Sequence, residues 1–484
     1  NGAYAQQYEG ATTIKVRGNS TKGYPKKPWK LKLGKKTDVF KLGGGVKNKH
    51  WVLLANYLDE CLMRNTIGSR LADALGVANM KTEWVDVVFN GSYNGCYQLC
   101  QHIRIAEERV NVYDWENAAG KVAEGFAETY PMSDEDLDAF TAQLEQNFSW
   151  VTSDSVTWGG NTMKASKAWK KFTNDISGGY LWEMSSEYDE VSKFIVTSGV
   201  MTVKTMLNKP EFLASNPAMM AECRKIWQDY WDACTSTNGY NAAGRHYSEL
   251  CDVDSMVGYW LTMVTMENSD STKKSRYAYK DQGGKIVWGP VGDCDWGCGS
   301  PVTVSQNSDG SWKWSSATNT FGVAKSSGTD DQGVTKGGFY REWADDPWFC
   351  QKLVEAYWAK VHPYFAEMLK PGGTYDQYVA LLAEAGVANE KKWKNRVGFS
   401  GPDGDVARYR RFLTDRLDWM DKMFANVSTL MAAVKSDSTA QYTRSTATTT
   451  ATFASGLGAA TAKAESRETE IQDLEAFKDQ DDVA

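Results

Sequence analysis

The chain has 484 residues, 42% hydrophobic and 24% charged, an ordinary globular composition long enough for two or three lobes, each with its own core. A formal net charge of −7 and a pI near 5.4 argue against a nucleic-acid partner, which would need a basic face. No apolar run of roughly eighteen residues occurs, so no membrane span is expected, and a start at Asn1 reads as a mature secreted chain or a trimmed one.

In chain order, Thr12 to Arg17 alternates polar and apolar residues and runs into Gly18-Asn19, the pattern of a strand and a tight turn. The next strand, Trp29 to Leu33, sets Lys30 and Lys32 on one face and Trp29, Leu31 and Leu33 on the other; by itself it reads as a solvated basic edge. Gly18 and Gly23 have the spacing of a P-loop, but Tyr24 stands where its lysine belongs. Trp51 to Leu54 is a short buried run, and Arg64 to Leu75 has helical apolar spacing closed by Gly76. Val85 to Asn90 and Gly95 to Ile103 form a hairpin across Asn90-Gly91. Glu124 to Thr157 is an acidic connector or insertion, in which Leu137, Phe140 and Leu144 permit an amphipathic helix with its acids solvated. Ile176 to Met184 is a strand beginning at a Gly turn, with Glu183 near its end.

Pro217 to Trp231 and Asp254 to Glu267 have helical spacing, and the second leads into Asn268 and Asp270. Ser300 to Lys336, rich in Ser, Gly, Thr and Asp, reads as a mobile loop over the site mouth. Phe339 to Leu369, Tyr375 to Ala388 and Ala407 to Ala425 are further helices, with Arg410, Arg411 and Arg416 in surface or interhelical ion pairs. Beyond about Ser428 the chain turns to Ala, Ser and Thr and then to a charged end. Nine cysteines without a Cys-x-x-Cys pair, and only four histidines, leave no usual zinc spacing; Cys294 and Cys298 read as small buried residues. Twenty tryptophans could serve as platforms for sugars or purines, although Trp227 and Trp231 lie at the spacing of a packed helix face.

The stretch richest in chemistry is Met266 to Ser300. Arg276 to Lys280 and Ile286 to Trp288, joined across Gly283-Gly284, form a hairpin. Asp270 precedes it while Asp293 and Asp295 follow it, so antiparallel pairing carries three carboxylates to one edge. Phosphoryl transfer needs such a set: one carboxylate for the acceptor hydroxyl, others for the Mg²⁺ that bridges the phosphates. Ser275 stands five residues after Asp270, at the offset where protein kinases carry a metal-binding Asn. The competing reading is that Asp270 and Asp293 cap turns.

The RGNST turn (residues 17–21) followed by the KKPWKLKL strand (residues 26–33) resembles the CotH family of atypical kinases. The likeness continues through Gly95-Cys96-Tyr97, Gly179 to Glu183, Asn268 to Tyr279 and Pro290 to Gly297, in the family's order over roughly residues 10 to 430. It implies an α+β, two-lobed atypical protein-kinase-like fold, strand-rich in an N-terminal lobe (1–125) and mostly helical in a C-terminal catalytic lobe (161–427). Between them lies the connector (126–160), and after them an Ala/Ser/Thr-rich tail (428–484). The resemblance further implies metal-dependent transfer of the ATP γ-phosphate to Ser or Thr of a protein that is extracellular, at the cell surface or in a spore coat. Asp270 is then the base, Asp293 the principal Mg²⁺ or Mn²⁺ ligand, and Asp295 and Ser275 supporting ligands. Arg17, Ser20 and Thr21 line a phosphate-facing loop, Lys30 or Lys32 faces the phosphates, and Glu183 lies near the nucleotide. Gln101 stands where a Glu is common in the family; it can hydrogen-bond the lysine but not pair with it as an ion. Gly292 replaces a common Trp. The alternatives are a non-catalytic module of a surface or polysaccharide-degrading assembly and, more distantly, a glycoside hydrolase using the same carboxylates.

Overall fold

The structure, a computed structural model, describes residues 6–18, 20–199, 201–300, 321, 340 and 343–435. The expected loop at 300–336, except for Ser300 and Phe321, and the tail beyond 435 lie outside the described residues.

The N-terminal part is a five-stranded antiparallel sheet of β1 (Thr12–Val16), β2 (Trp29–Thr37), β3 (Asn48–Leu54), β4 (Thr82–Phe89) and β5 (Ser92–Gln101), in the order β1-β2-β3-β5-β4. Asn90 and Gly91 close the β4–β5 hairpin with φ of 49° and 73° between the paired Phe89 and Ser92, the left-handed pair that a two-residue type I′ turn requires. β2 extends four residues beyond the expected strand. A short ribbon follows, β6 (Val156–Trp158) with β7 (Asn161–Met163). A second five-stranded sheet contains β8 (Tyr180–Met184), β9 (Lys193–Ser198), β10 (Met201–Lys209), β11 (Arg276–Lys280) and β12 (Ile286–Trp288), ordered β12-β11-β8-β10-β9.

The remainder is largely helical, so the fold is α+β, with sheets dominating the first part and helices the second. The 253–265 helix is buried at every position from Ser255 to Thr265, as a helix with apolar residues on all sides must be. Around it lies an aromatic core in which Trp182 stacks on Trp227 with ring centroids 4.7 Å apart, and Trp231 and Trp288 close the group. Among the described residues ten tryptophans are buried, so much of the Trp abundance builds core rather than sugar platforms. Within the acidic connector, Ser133 caps a helix over Asp134–Gln146. Phe140 and Leu144 point inward from it, while its first-turn acids stay exposed.

Among the contacts that tie the later helices to the N-terminal part, two bear on the site. The Thr374–Trp393 helix crosses β5 at Gly95, where an added Cβ would lie 2.7 Å from Asn389 Oδ1 and 2.9 Å from the Trp393 ring. Arg64, at the start of the Arg64–Leu75 helix, places Nη1 2.6 Å from Asp59 and 2.5 Å from Asp405 of the Asp405–Met423 helix, all three side chains fully buried. Arg410 pairs with Asp376, and Arg416 lies 2.7 Å from Glu267; both are interhelical or core ion pairs. All nine cysteines are free thiols. Among the described residues no helix is long and apolar enough to cross a membrane.

Candidate functional site

A cavity of about 290 Å³ opens between the two sheets, close to the lower end of the ~300–1,000 Å³ typical of small-molecule sites. Its lining includes Arg17, Ser20, Thr21, Glu183, Asp270, Ser275, Asp293 and Asp295, residues that lie up to 278 positions apart in the sequence.

The loop between β1 and β2 forms one wall. Val16 pairs with Trp29, and Arg17 N–H donates to the Pro28 carbonyl at 3.1 Å, so residues 17–28 close as a wide loop over the cavity. Gly18 has φ of 89°, and a Cβ there would stand 2.0 Å from Thr21 Oγ1; the loop needs glycine at this point. Lys30 pairs with Lys15 on one side and with the cavity-lining Val52 on the other, and so projects from the cavity-facing side of the sheet. Lys32, opposite His50, follows on the same side but farther out. Burial lowers the Lys30 pKa, helped by Lys209, Arg104, Arg17 and Lys15. Burial also pushes His102, in the cavity wall, well below its usual value, with Lys30, Arg17 and Arg104 adding to the effect. His102 Nδ1 and Arg104 Nε are buried without a hydrogen-bond partner. A cluster of cations that repel one another, with unsatisfied polar atoms among them, is completed by an anion.

The acidic wall is built by the end of the 253–265 helix and the β11–β12 hairpin. Asp270 sits on the short turn Ser269–Thr272, where the Asn268 side chain accepts from Ser271 N–H and donates to the Asp293 carbonyl at 2.9 Å. Ser275 Oγ donates to Asp293 Oδ2 at 2.9 Å. Ser275 and Asp293 both hold left-handed backbones, φ 56° and 60°, each costing of order 1 kcal/mol or more that the packing around them must offset. That packing is tight: Gly297 lies against the backbone of Met266 to Asn268, and Cys298 N–H donates to the Met266 carbonyl at 2.8 Å. Burial and the nearby Asp293 push Asp270 up to about 6, with Lys274 Nζ 3.6 Å away as a partial counterweight. Asp295, partly buried in the cavity wall, is driven well above the carboxylate range by burial and by Asp293. Hard oxygen donors under mutual repulsion are what a divalent cation relieves. The hairpin therefore brings Asp270, Asp293 and Asp295 together with Ser275, as the sequence leads one to expect.

Other expected residues have different surroundings. Glu183 reaches the cavity from β8, hydrogen-bonded by Asn208 Nδ2 at 3.3 Å, and burial raises it to about 7. Gln101 stands apart from the cavity: its amide donates to the Leu42 and Glu108 carbonyls and accepts from Lys81 N–H. Gly292, where the family commonly has Trp, packs against Met80 and Ile103, and Trp296 supplies an aromatic ring to the cavity from the far side of the acidic pair. Lys26 was not singled out by its sequence. It is buried in the cavity wall, donates to the Cys96 carbonyl at 2.5 Å and Asn389 Oδ1 at 2.7 Å, and lies over the Tyr97 ring; burial lowers it to about 7. The strand-adjacent KK pair was the available signal, but it does not say which lysine turns inward. Asp59, Cys61 and Asp405 also come within ligating reach of one another. Arg64 already lies between the two carboxylates, and its guanidinium is the cation of that cluster.

The chain matches the family described as CotH kinase protein over residues 14–179 and 212–420. No curated protein matches it.

Proposed function

The chain belongs to the CotH kinase family, and from that premise we propose that the cavity binds ATP with a divalent cation and transfers the γ-phosphate to a Ser or Thr hydroxyl of a protein. The observation that carries this reading is one cavity lined by Asp270, Asp293 and Asp295 and by Arg17, with Lys30 and Arg104 close by, these three cations holding no ion pair among the described residues.

The residues fit the groups. Asp293 and Asp295, with Ser275 in support, offer oxygen ligands to Mg²⁺ or Mn²⁺, and the bound ion would neutralise charge on the phosphates. Arg17 and Lys30, with His102 and Arg104 beside them, hold the phosphate chain, and the 17–28 loop covers it. Glu183 faces the nucleotide from β8. Asp270, held on the rigid turn after a buried helix, orients the acceptor hydroxyl and takes its proton; its pKa of about 6 leaves it mostly ionised at neutral pH. Two carboxylates would equally suit a glycosidase, but that reading gives the cationic wall no task.

The test is transfer of the labelled γ-phosphate from ATP to a Ser/Thr-containing protein mixture in the presence of Mg²⁺ or Mn²⁺. Incorporation by the wild type and at least about a hundredfold less by Asp270→Asn supports the assignment; equal incorporation by both removes Asp270 from its role.

A further inference from the structure

The net charge of −7 conceals a strong asymmetry. Residues 10–58 contain twelve Lys and Arg and a single acid, Asp38. The structure sets six of these cations along the cavity-facing side and outer end of β2 and its neighbours. Lys15 is paired with Lys30, Lys32 lies opposite His50, and Lys35, Lys36 and Lys47 continue outward; Lys30 stands at the partly covered inner end and the other five are exposed. Among the described residues none of them makes an ion pair or a side-chain hydrogen bond. From Lys30 to Lys36 the strip is about 20 Å long, longer than a triphosphate at its inner end requires.

The chain carries its own complement. Residues 465–484 hold eight Asp and Glu against two Lys and Arg, and eleven of the twenty residues at 436–455 are Ser or Thr. We propose that the strip is a docking surface for the chain's acidic C-terminal segment, 465–484, and that docking carries the Ser/Thr-rich segment, 436–455, to the cavity as an intramolecular phosphoryl acceptor. The second half rests on the kinase reading; the first does not.

Reach permits it. Thirty residues separate Lys435 from Glu465, enough to span at most about 100 Å, whereas a globule of this size has a radius of gyration on the order of 22 Å. Charge selects it. A long polyanion would meet the acidic remainder of the molecule as well as the strip, while a short tethered segment need meet only the strip. In the transfer, a Ser or Thr Oγ attacks the γ-phosphorus of ATP and the Oγ–P bond forms as the P–O bond to ADP breaks. ADP leaves with the electron pair, and Asp270 takes the hydroxyl proton.

Zero-length carbodiimide cross-linking of the full chain, with peptide mapping, tests the docking. The expected cross-links join Glu468 to Asp482 carboxylates to the strip lysines, within one molecule when isotopically light and heavy protein are mixed, and disappear at high salt. Tail cross-links that are absent, scattered over lysines elsewhere, or formed between copies overturn it. In parallel, ATP with divalent cation is expected to phosphorylate 436–455 at a rate per molecule independent of protein concentration. Combined Lys35→Glu, Lys36→Glu and Lys47→Glu substitutions should lower that rate about tenfold without changing stabilisation by metal–ATP. A chain that binds metal–ATP and shows the cross-links but leaves 436–455 unmodified overturns the acceptor half. A chain that does not bind metal–ATP overturns the kinase reading and the acceptor half with it, and the cross-link map then decides the docking alone.

Discussion

Asp270 and Asp293 share a cavity, and under the proposed reaction, with Asp270 as base and Asp293 as metal ligand, their variants should fail in different ways. Asp270→Asn keeps the turn and its size while removing the proton acceptor. Phosphate incorporation should fall by a factor of about 100 or more, with ATP binding nearly intact when followed by calorimetry. Asp293→Ala removes both an oxygen ligand and the partner of Ser275 Oγ, so metal-dependent nucleotide binding itself should be lost. His50 reports on the cationic wall. Burial, with Arg104, Lys30, Lys32 and Arg109, lowers it from 6.5 to about 4. A histidine whose folded value lies below its unfolded one stabilises the fold above about 6.5, and that contribution is lost as pH falls toward about 4. The unfolding free energies of wild type and His50→Gln should therefore converge or cross across that window; a constant offset from pH 7 to 4 would contradict the cationic environment. The three carboxylates were legible in the sequence because they flank one hairpin, so local pairing alone brings them together. His102 and Lys26, with Arg104 beside them, were not, because their place depends on how β5, the 17–28 loop and the 374–393 helix pack, which no local pattern encodes.

Elements with strong local signals stand where the sequence puts them. The helix at Arg64–Leu75 stops at Gly76, whose φ of 79° satisfies the usual left-handed end, and β11 and β12 span the expected residues. The β9–β10 hairpin has a weaker sequence signal, the aromatic and β-branched run Phe194-Ile195-Val196-Thr197 without clean alternation. Without it β8 would be an edge, and Glu183 would lose Asn208 as its partner. The junction of greatest consequence joins elements remote in sequence. Arg64 bridges the 59–64 turn, the 405–423 helix and, through Nη2, the Cys298 carbonyl of the acidic loop at 3.4 Å. Arg64→Ala leaves two carboxylates buried without their cation and should cost about 3–5 kcal/mol, read as a lower midpoint in urea. A loss below about 1 kcal/mol would show that Asp59 and Asp405 are satisfied without it.

At the scale of the molecule, separated motifs in order carried the fold class: RGNST with its lysine strand, Gly95-Cys96-Tyr97 and the Asp293 loop all come to the cavity or to the helix crossing beside it. Average charge, by contrast, says nothing of this arrangement, because an acidic total masks a basic stretch over residues 10–58 next to an acidic hairpin. That opposition is the physical basis of the proposed activity: cations to hold phosphate, carboxylates to hold the metal, and a cavity between. The most direct test is thermal unfolding of the full chain with ATP, with and without Mg²⁺ or Mn²⁺. At a hundredfold excess over the dissociation constant, ATP with the divalent ion should stabilise the fold by about 2.7 kcal/mol, and ATP without it by much less. Equal stabilisation with and without the ion, or none in either case, would contradict the account.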